Sequence, residues 1–330
     1  MKRPGHLISK IAELENLQLA FYKAQKGKSG NPEVYRYGKQ LSLHLPALQQ
    51  QILSGDVEAG NYRYFTIYDP KQRLICEAPF GQRVLHHALM NICHPFFEKV
   101  QIFDSYASRP GKGTYAALER ARYFNQQNQW FLKLDFRKYF DSLDHGILKK
   151  QLHRLFKDSQ LLKIFERIID SYSVTDNKGV PIGNLTSQYF ANHYLAQLDH
   201  YVKEVLKIRA YVRYMDDLAL WHDNRRVLID AGNRLSRYSE RELKLTLKPF
   251  CLNRNSHGLP FLGYLVYPEQ TRLAHRSRVR FIKKLGIYTE NLASELWTQS
   301  EYQNHVVPLI AFTEHANARE FRKKIIGDFA

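Results

Sequence analysis

The sequence predicts an α+β chain in which helices make up most of the length and short antiparallel strands present the reactive side chains. Apolar residues recur at helical spacing through much of 4–54, 81–98, 144–172 and 225–242. Strand-like runs come in pairs across turn residues, as Tyr62–Tyr68 does with Leu74–Glu77. Two adjacent acids, Asp216 and Asp217, separate the apolar runs Ala210-Tyr-Val and Leu218-Ala-Leu-Trp221. That pattern reads as a hairpin with both carboxylates at its tight turn.

The 330 residues are enough for two or three packed lobes, and 44% hydrophobic content places the chain among globular proteins. Lysine and arginine number 49 against 32 acids, a formal charge of +17. Such an excess favours a polyanion partner, because each neutralised phosphate releases counterions. No run of 18 apolar residues, secretory leader or strongly basic amphipathic membrane helix is evident, so no membrane partner is expected. The 21 tyrosines and 19 phenylalanines suit base and sugar stacking as well as a core. Cys76, Cys93 and Cys251 are few, odd in number and not spaced for zinc, which points to a reduced, cytoplasmic setting. His86, His87, Cys93 and His94 share one helical stretch, and their spacings do not converge on one face.

Taken in order, residues 4–26 and 34–54 read as helices around a basic loop, Lys26-Gly-Lys-Ser-Gly-Asn-Pro32. The turn Asp69-Pro70-Lys71-Gln72-Arg73 joins the first two strands and places Lys71 and Arg73 near a hairpin tip. These cations are either a solvated turn or a clamp for a triphosphate. After the helix 81–98 comes a loop, 104–113, with Arg109 and Lys112 suited to backbone phosphate or to plain solvent. Thr114 is placed to cap the helix that follows. Trp130–Phe136 reads as a strand delivering Asp135 just before a turn, where a carboxylate can be held rigidly. Asp141 and Asp144 read as acids at a helix N-terminus. The segment Gly179-Val-Pro-Ile-Gly-Asn-Leu-Thr-Ser-Gln188 precedes a long helix over 189–206 and suits either a tight turn or close approach to a flat ligand. Residues 225–242 form an amphipathic, arginine-rich helix, and 244–248 a short strand. Pro260-Phe-Leu-Gly-Tyr264 leads into a further hairpin. Beyond residue 270 the chain is basic and helical, with Arg276, Arg278 and Arg280 in its first stretch.

Two carboxylates side by side repel unless a cation lies between them, and hard oxygen donors suit Mg²⁺ or Mn²⁺. An exposed acidic turn is the bland alternative. A third acid at a strand end, cations for phosphates and a basic tail are the parts that phosphoryl transfer on a nucleic acid requires.

The motifs resemble those of reverse transcriptases of the bacterial retroelement type. Lys133-Leu-Asp-Phe-Arg-Lys-Tyr-Phe140 is similar to the family's first palm motif and Gly179–Leu198 to its second. Arg213-Tyr-Met-Asp-Asp217 is similar to its Tyr-x-Asp-Asp motif, and Phe261-Leu-Gly-Tyr264 to its primer grip. The resemblance implies a right-hand fold: an N-terminal helical extension over 1–60, fingers over 61–125 with part of 145–180, a palm over 126–268 and a thumb over 269–330. It implies two Mg²⁺ ions on Asp135, Asp216, Asp217 and the carbonyl of Phe136. Lys71, Arg73, Phe140, Ile182, Gly183 and Gln188 would contact the dNTP, with Phe140 excluding a 2′-hydroxyl. Lys248 is the candidate general acid, and template RNA with its primer or cDNA the implied partner.

Ile182 stands where group II intron and retroviral enzymes usually carry Gln. The Ile-Gly-x-x-x-Ser-Gln form resembles diversity-generating retroelement enzymes. Their implied traits are adenine-biased, error-prone cDNA synthesis from a template-repeat RNA and a small, basic, pentameric accessory protein. The alternatives are a retron or anti-phage defence enzyme copying a dedicated non-coding RNA, and a non-catalytic RNA-binding protein on a palm fold.

Overall fold

A computed structural model describes residues 3–28, 30–68 and 71–328. The first helical stretch is two helices, α1 (Ile8–Ile11) and α2 (Leu14–Gln25), and the second is again two, α3 (Pro32–Lys39) and α4 (Leu41–Ser54). Asn31 caps α3 by accepting from Glu33 N, with Pro32 at the first helical position. Strands β1 (Arg63–Ile67) and β2 (Arg73–Glu77) pair antiparallel. Asp69 and Pro70, expected in their turn, lie outside the described residues. Then follow α5 (Phe80–Lys99), α6 (Thr114–Gln127) and β3 (Trp130–Asp135). Thr114 is not the cap of α6. It is the first helical residue, and Gly113 precedes it with φ +109°, a conformation open to glycine.

Asp144 caps α7 (His145–Leu155) through Ile147 N, and Asp158 caps α8 (Ser159–Asp170) through Leu161 N. The long helix expected over 189–206 is instead α9 (Leu185–Tyr194), α10 (Ala196–His200) and a π-helical turn, Tyr201–Val205. Strands β4 (Tyr211–Tyr214) and β5 (Asp217–His222) lead to α11 (Arg225–Glu242). The strand expected at 244–248 is reduced to a short bridge, in which Arg137 N donates to the Thr246 carbonyl and Lys248 N to the Asp135 carbonyl, both at 2.9 Å, and the next full strand is β6 (Cys251–Arg254). Strands β7 (Leu259–Phe261), β8 (Tyr264–Val266) and β9 (Thr271–Leu273) form a three-stranded sheet, so residue 270 falls inside a β-connection. Helices α12 (His275–Ala293), α13 (Gln299–Glu314) and α14 (Arg319–Asp328) complete the chain.

These residues divide into two compact units. The first holds Met1–Ile102, Phe136–Tyr201 and Ser236–Thr246. In it, buried Leu17, Ala20 and Phe21 of α2 and Val84, Ala88 and Leu89 of α5 belong to the core. The Asn16 amide crosses to the Ala88 carbonyl at 3.1 Å. A ring cluster of Phe97, Phe156, Phe165 and Phe190 has centroid separations of 5.4 to 6.4 Å, where edge-to-face packing is favourable.

The second unit holds Phe103–Asp135, Val202–Leu235 and Leu247–Ala330. Its four-stranded sheet has the order β4-β5-β3-β6, all neighbours antiparallel, so the two acid-bearing strands β3 and β5 are central. The core joins α6 to both sheets through Leu118, Phe124, Phe131, Trp221, Phe261 and Tyr264. Buried Asn125 spans the sheets: its Oδ1 accepts from Trp221 Nε1 at 2.5 Å and its Nδ2 donates to the Val266 carbonyl at 2.6 Å. A buried amide so satisfied costs little and fixes one arrangement of the sheets.

Candidate active site

The acids assemble by strand register. Asp135 ends β3 and Asp217 begins β5, and the two are direct partners across the antiparallel ladder. Tyr214 pairs with Asp217 across the β4–β5 hairpin, leaving Met215 and Asp216 as its two-residue loop. The expectation that both acids occupy the turn is therefore corrected: Asp216 is in the turn and Asp217 is in the strand. Met215 has φ +54°, strained for a long side chain. The wholly buried Arg213 supports that strain by donating from a guanidinium nitrogen to the Met215 carbonyl at 3.1 Å.

Like charges directly opposite on a ladder destabilise it. Two lysines offset the repulsion here. Lys248 Nζ meets Asp135 Oδ2 at 2.5 Å, and its backbone N–H donates to the Asp135 carbonyl at 2.9 Å. Lys133 Nζ stands 3.1 Å from Asp217 Oδ1. Lys133 is opposite Ala219, so Asp217 is its diagonal neighbour, within reach of a long side chain. Asp217 Oδ1 is nonetheless buried without a well-formed hydrogen bond. Burial, helped by the charges of Asp135 and Asp216, raises the Asp217 pKa to about 6 against the pull of Lys133.

This donor set fits a hard divalent cation. It offers carboxylate oxygens, one of them the buried Asp217 Oδ1 without a well-formed hydrogen bond, and Lys133 and Lys248 hold positive charge beside them. Among the described residues no three His, Cys, Asp or Glu side chains are grouped as they would be around a metal ion, and Asp135 and Asp217 pair with Lys248 and Lys133 instead.

Around the acids, the loop 103–113 is pinned to β4. Tyr106 N donates to the Arg213 carbonyl and Arg213 N to the Asp104 carbonyl, both at 2.9 Å. Buried Asp104 pairs with Arg120 at 2.9 Å and Lys203 at 2.8 Å. Arg109 and Lys112 are engaged locally. Arg109 donates to the Ser105 carbonyl, and Lys112 lies 3.4 Å over the Phe103 ring and donates to its carbonyl. Phe261 and Tyr264 turn their rings into the core, whereas Leu262 and Gly263 form the hairpin turn with φ +51° and +90°. Positive φ at both central residues matches the twist of a two-residue hairpin. Arg276 and Arg278 are exposed on α12; Arg278 and Arg280 stack over Phe321 and Phe312.

The first unit gathers the other candidate residues. Lys71 and Arg73 are exposed, Arg73 as the first residue of β2. The far end of β2 receives the loop before α9: Cys76 N donates to the Ile182 carbonyl at 2.8 Å, and Asn184 Nδ2 to the Cys76 carbonyl at 3.0 Å. Gly183 has φ +118°, and a Cβ there would lie 2.9 Å from Ile75 Cγ2. The close approach that the glycine permits is thus to strand β2. Val180 N donates to the Phe140 carbonyl at 2.9 Å, which ties half-buried Phe140 to the same loop as half-buried Ile182. Gln188 is exposed in the first turns of α9, and buried Phe136 packs 5.6 Å from the Tyr139 ring.

Lys133, Arg213 and Asp104 escaped sequence reasoning. Lys133 had a signal, since it shares a strand face with Asp135 two residues on. Arg213 stands at the head of the Arg213-Tyr-Met-Asp-Asp217 motif without a role of its own, and Asp104 only as the first residue of a loop.

Residues 68–266 match the family described as reverse transcriptase (RNA-dependent DNA polymerase). Protein YkfC of Escherichia coli K12 is 21% identical over 309 residues, 78% of this chain and 81% of that protein. The group II intron-encoded protein LtrA of Lactococcus lactis subsp. cremoris is 27% identical over 142 residues, 41% and 24% of the two chains. The uncharacterized 91 kDa protein in cob intron of Schizosaccharomyces pombe is 28% identical over 157 residues, 46% of this chain and 18% of that one. Telomerase from Candida albicans, solved in complex with a TWJ fragment of telomeric RNA, is similar with a TM-score of 0.51 at 12% identity. That match covers 73% of this chain and 52% of telomerase. The likeness is one of fold, the right-hand polymerase fold. The matches span under a fifth of the first two curated relatives, 18% and 17%, so most of those proteins lies outside the comparison.

Proposed function

This chain belongs to the reverse transcriptase family, and we propose that it copies RNA into DNA by metal-assisted nucleotidyl transfer at Asp135, Asp216 and Asp217. The observation that carries the proposal is the register pairing of Asp135 with Asp217, one residue from Asp216 at a strained turn. Two divalent ions, Mg²⁺ by the hardness of these donors, would be held by these carboxylates and would supply the charge that attacking and leaving oxygens need. The protein's own share is positioning. Asp135 and Asp217 are held by neighbouring central strands, the Phe136 carbonyl adds an oxygen donor, and Lys248 is the proton donor to the departing pyrophosphate. Lys71 and Arg73 grip the triphosphate, and Phe140, Ile182, Gly183 and Gln188 contact the sugar and nascent pair.

Fingers over 61–125, palm over 126–268 and a basic thumb over 269–330 would then hold the template and primer. Arg109, Lys112, Arg276, Arg278 and Arg280 would follow the nucleic-acid backbone, and the turn residues Leu262 and Gly263 the primer. The formal charge of +17 supports such a polyanion partner. Among the described residues no helix is long and apolar enough to cross a membrane. A cytoplasmic setting, read from the cysteines, is part of the same proposal.

Extension of a primed RNA template with dNTPs and Mg²⁺ tests the reading. Incorporation that stops in Asp135→Asn and fails with rNTPs supports it. RNA binding with no extension under Mg²⁺ or Mn²⁺ would instead make the chain a binding protein on a palm fold.

The finer assignment is to a diversity-generating retroelement, with a template-repeat RNA and a small basic accessory protein. Ile182 supports it. An apolar side chain there lacks the hydrogen bond with which a glutamine would check the nascent pair. Misinsertion opposite template adenine should fall in Ile182→Gln. Equal error in variant and wild type would remove the argument.

A further inference from the structure

Lys133 has no part in the reaction as described, yet one ammonium group joins two pieces of the site. It stands 3.1 Å from Asp217 Oδ1 and donates a 2.7 Å hydrogen bond to the Pro260 carbonyl. Pro260 is the middle residue of β7, whose hairpin with β8 turns at Leu262 and Gly263. An ammonium is a compact charge with three donors, so it can serve both acceptors at once. Lys133 would be repelled by a divalent ion held on Asp217, since like charges repel. It would then give up Asp217 and keep the Pro260 carbonyl as its acceptor.

We propose that Lys133 is a positioning residue that couples ion loading at Asp217 to the placement of the Leu259–Val266 hairpin. The proposal rests on Asp217 being an ion ligand. Linkage is reciprocal, so a duplex that engages the hairpin changes ion affinity by the same factor as the ion changes duplex affinity. The site would thereby load its ions preferentially when a primer is in place.

The test uses the whole chain and Ca²⁺, a hard divalent ion with oxygen ligands. Calorimetry reports ion binding, hydrogen exchange reports the Leu262, Gly263 and Tyr264 amides, and anisotropy reports affinity for an RNA–DNA duplex. In wild type, Ca²⁺ should alter exchange at those amides and change duplex affinity by about fivefold or more. In Lys133→Met the ion should still bind, with the affinity ratio falling to near one. An unchanged ratio in Lys133→Met, or hairpin amides indifferent to bound Ca²⁺ in wild type, overturns the proposal. Lys133→Gln keeps an N–H for Pro260 without the charge and is the second variant should Lys133→Met misfold. A wild-type ratio in Lys133→Gln overturns the proposal equally. Absence of ion binding in wild type and Asp217→Asn alike would sink the ion-ligand reading itself, and is distinguished by calorimetry.

Discussion

Asp135 and Asp217 face each other as direct partners across β3 and β5, and each is neutralised by a different lysine. Lys248 covers Asp135 from the segment after α11, and Lys133 covers Asp217 from β3 itself. The ladder tolerates two opposed carboxylates because of these ammonium groups. The arrangement holds the acids in place before any ion or nucleotide arrives, as a preorganised site should.

Removing either carboxylate charge should abolish transfer while leaving RNA binding intact. Asp135→Asn and Asp217→Asn keep shape and remove an anionic ligand. Metal charge stabilisation is worth several kcal/mol at the transition state, so single-turnover extension should fall by at least about a hundredfold. Filter binding of template RNA should stay within twofold or so, since the phosphate-binding cations are untouched.

The pKa of Asp217, raised to about 6, makes a stability prediction with a definite sign. The folded chain keeps this proton up to about pH 6, whereas the unfolded chain releases it near 3.8. Between those values the folded state binds more protons, so stability falls as pH rises through the window and is level above it. Asp217→Asn removes that loss. Without divalent ions the variant should be more stable than wild type at pH 8, by about 1–3 kcal/mol, and should converge with it near pH 4. Urea unfolding at the two pH values checks this. A variant less stable at pH 8 would refute it.

Lys248 can be a proton donor or a mere counter-charge, and kinetics separates the two. A general acid contributes about 10²–10⁴-fold, so Lys248→Met should lower kcat to that degree with little change in the KM for dNTP. A counter-charge alone would leave kcat near wild type and tighten divalent binding at Asp135. Titration of Mg²⁺ in single-turnover extension reads both quantities.

Gly183→Ala should destabilise the first unit. The residue has φ +118°, and its new Cβ would meet Ile75 Cγ2 at 2.9 Å and the Cys76 carbonyl at 3.4 Å. Strain and overpacking together predict a loss of roughly 1–4 kcal/mol. Gly111→Ala is the control, with φ +67° and nothing within 4 Å of the added carbon, so strain alone acts there. Denaturation midpoints that fall equally in the two variants would show that the contact with β2 is unimportant.

The strand ending in Asp135, the Asp216-Asp217 hairpin and the amphipathic α11 were legible because each is set by local periodicity. The runs over 189–206 and 244–248 misled for a physical reason. Helical spacing persists through Tyr194–Tyr201 although the backbone changes to a π turn at Tyr201–Val205. Residues 244–248 have strand-like composition but pair with the end of β3 and the residues just after it through two backbone bonds, too few for a strand. Pairing is not a property of a segment alone.

By itself the sequence determined the residue types, their order and the family, because a motif is a spacing along the chain. Tertiary structure alone decided that Asp217 belongs to the strand and Asp216 to the turn. It also decided that Lys133 links Asp217 to Pro260, and that Gly183 makes room for β2. Those facts depend on register and on diagonal contacts between strands far apart in sequence. A one-residue slip of β5 against β3 would leave every motif intact and separate the two acids.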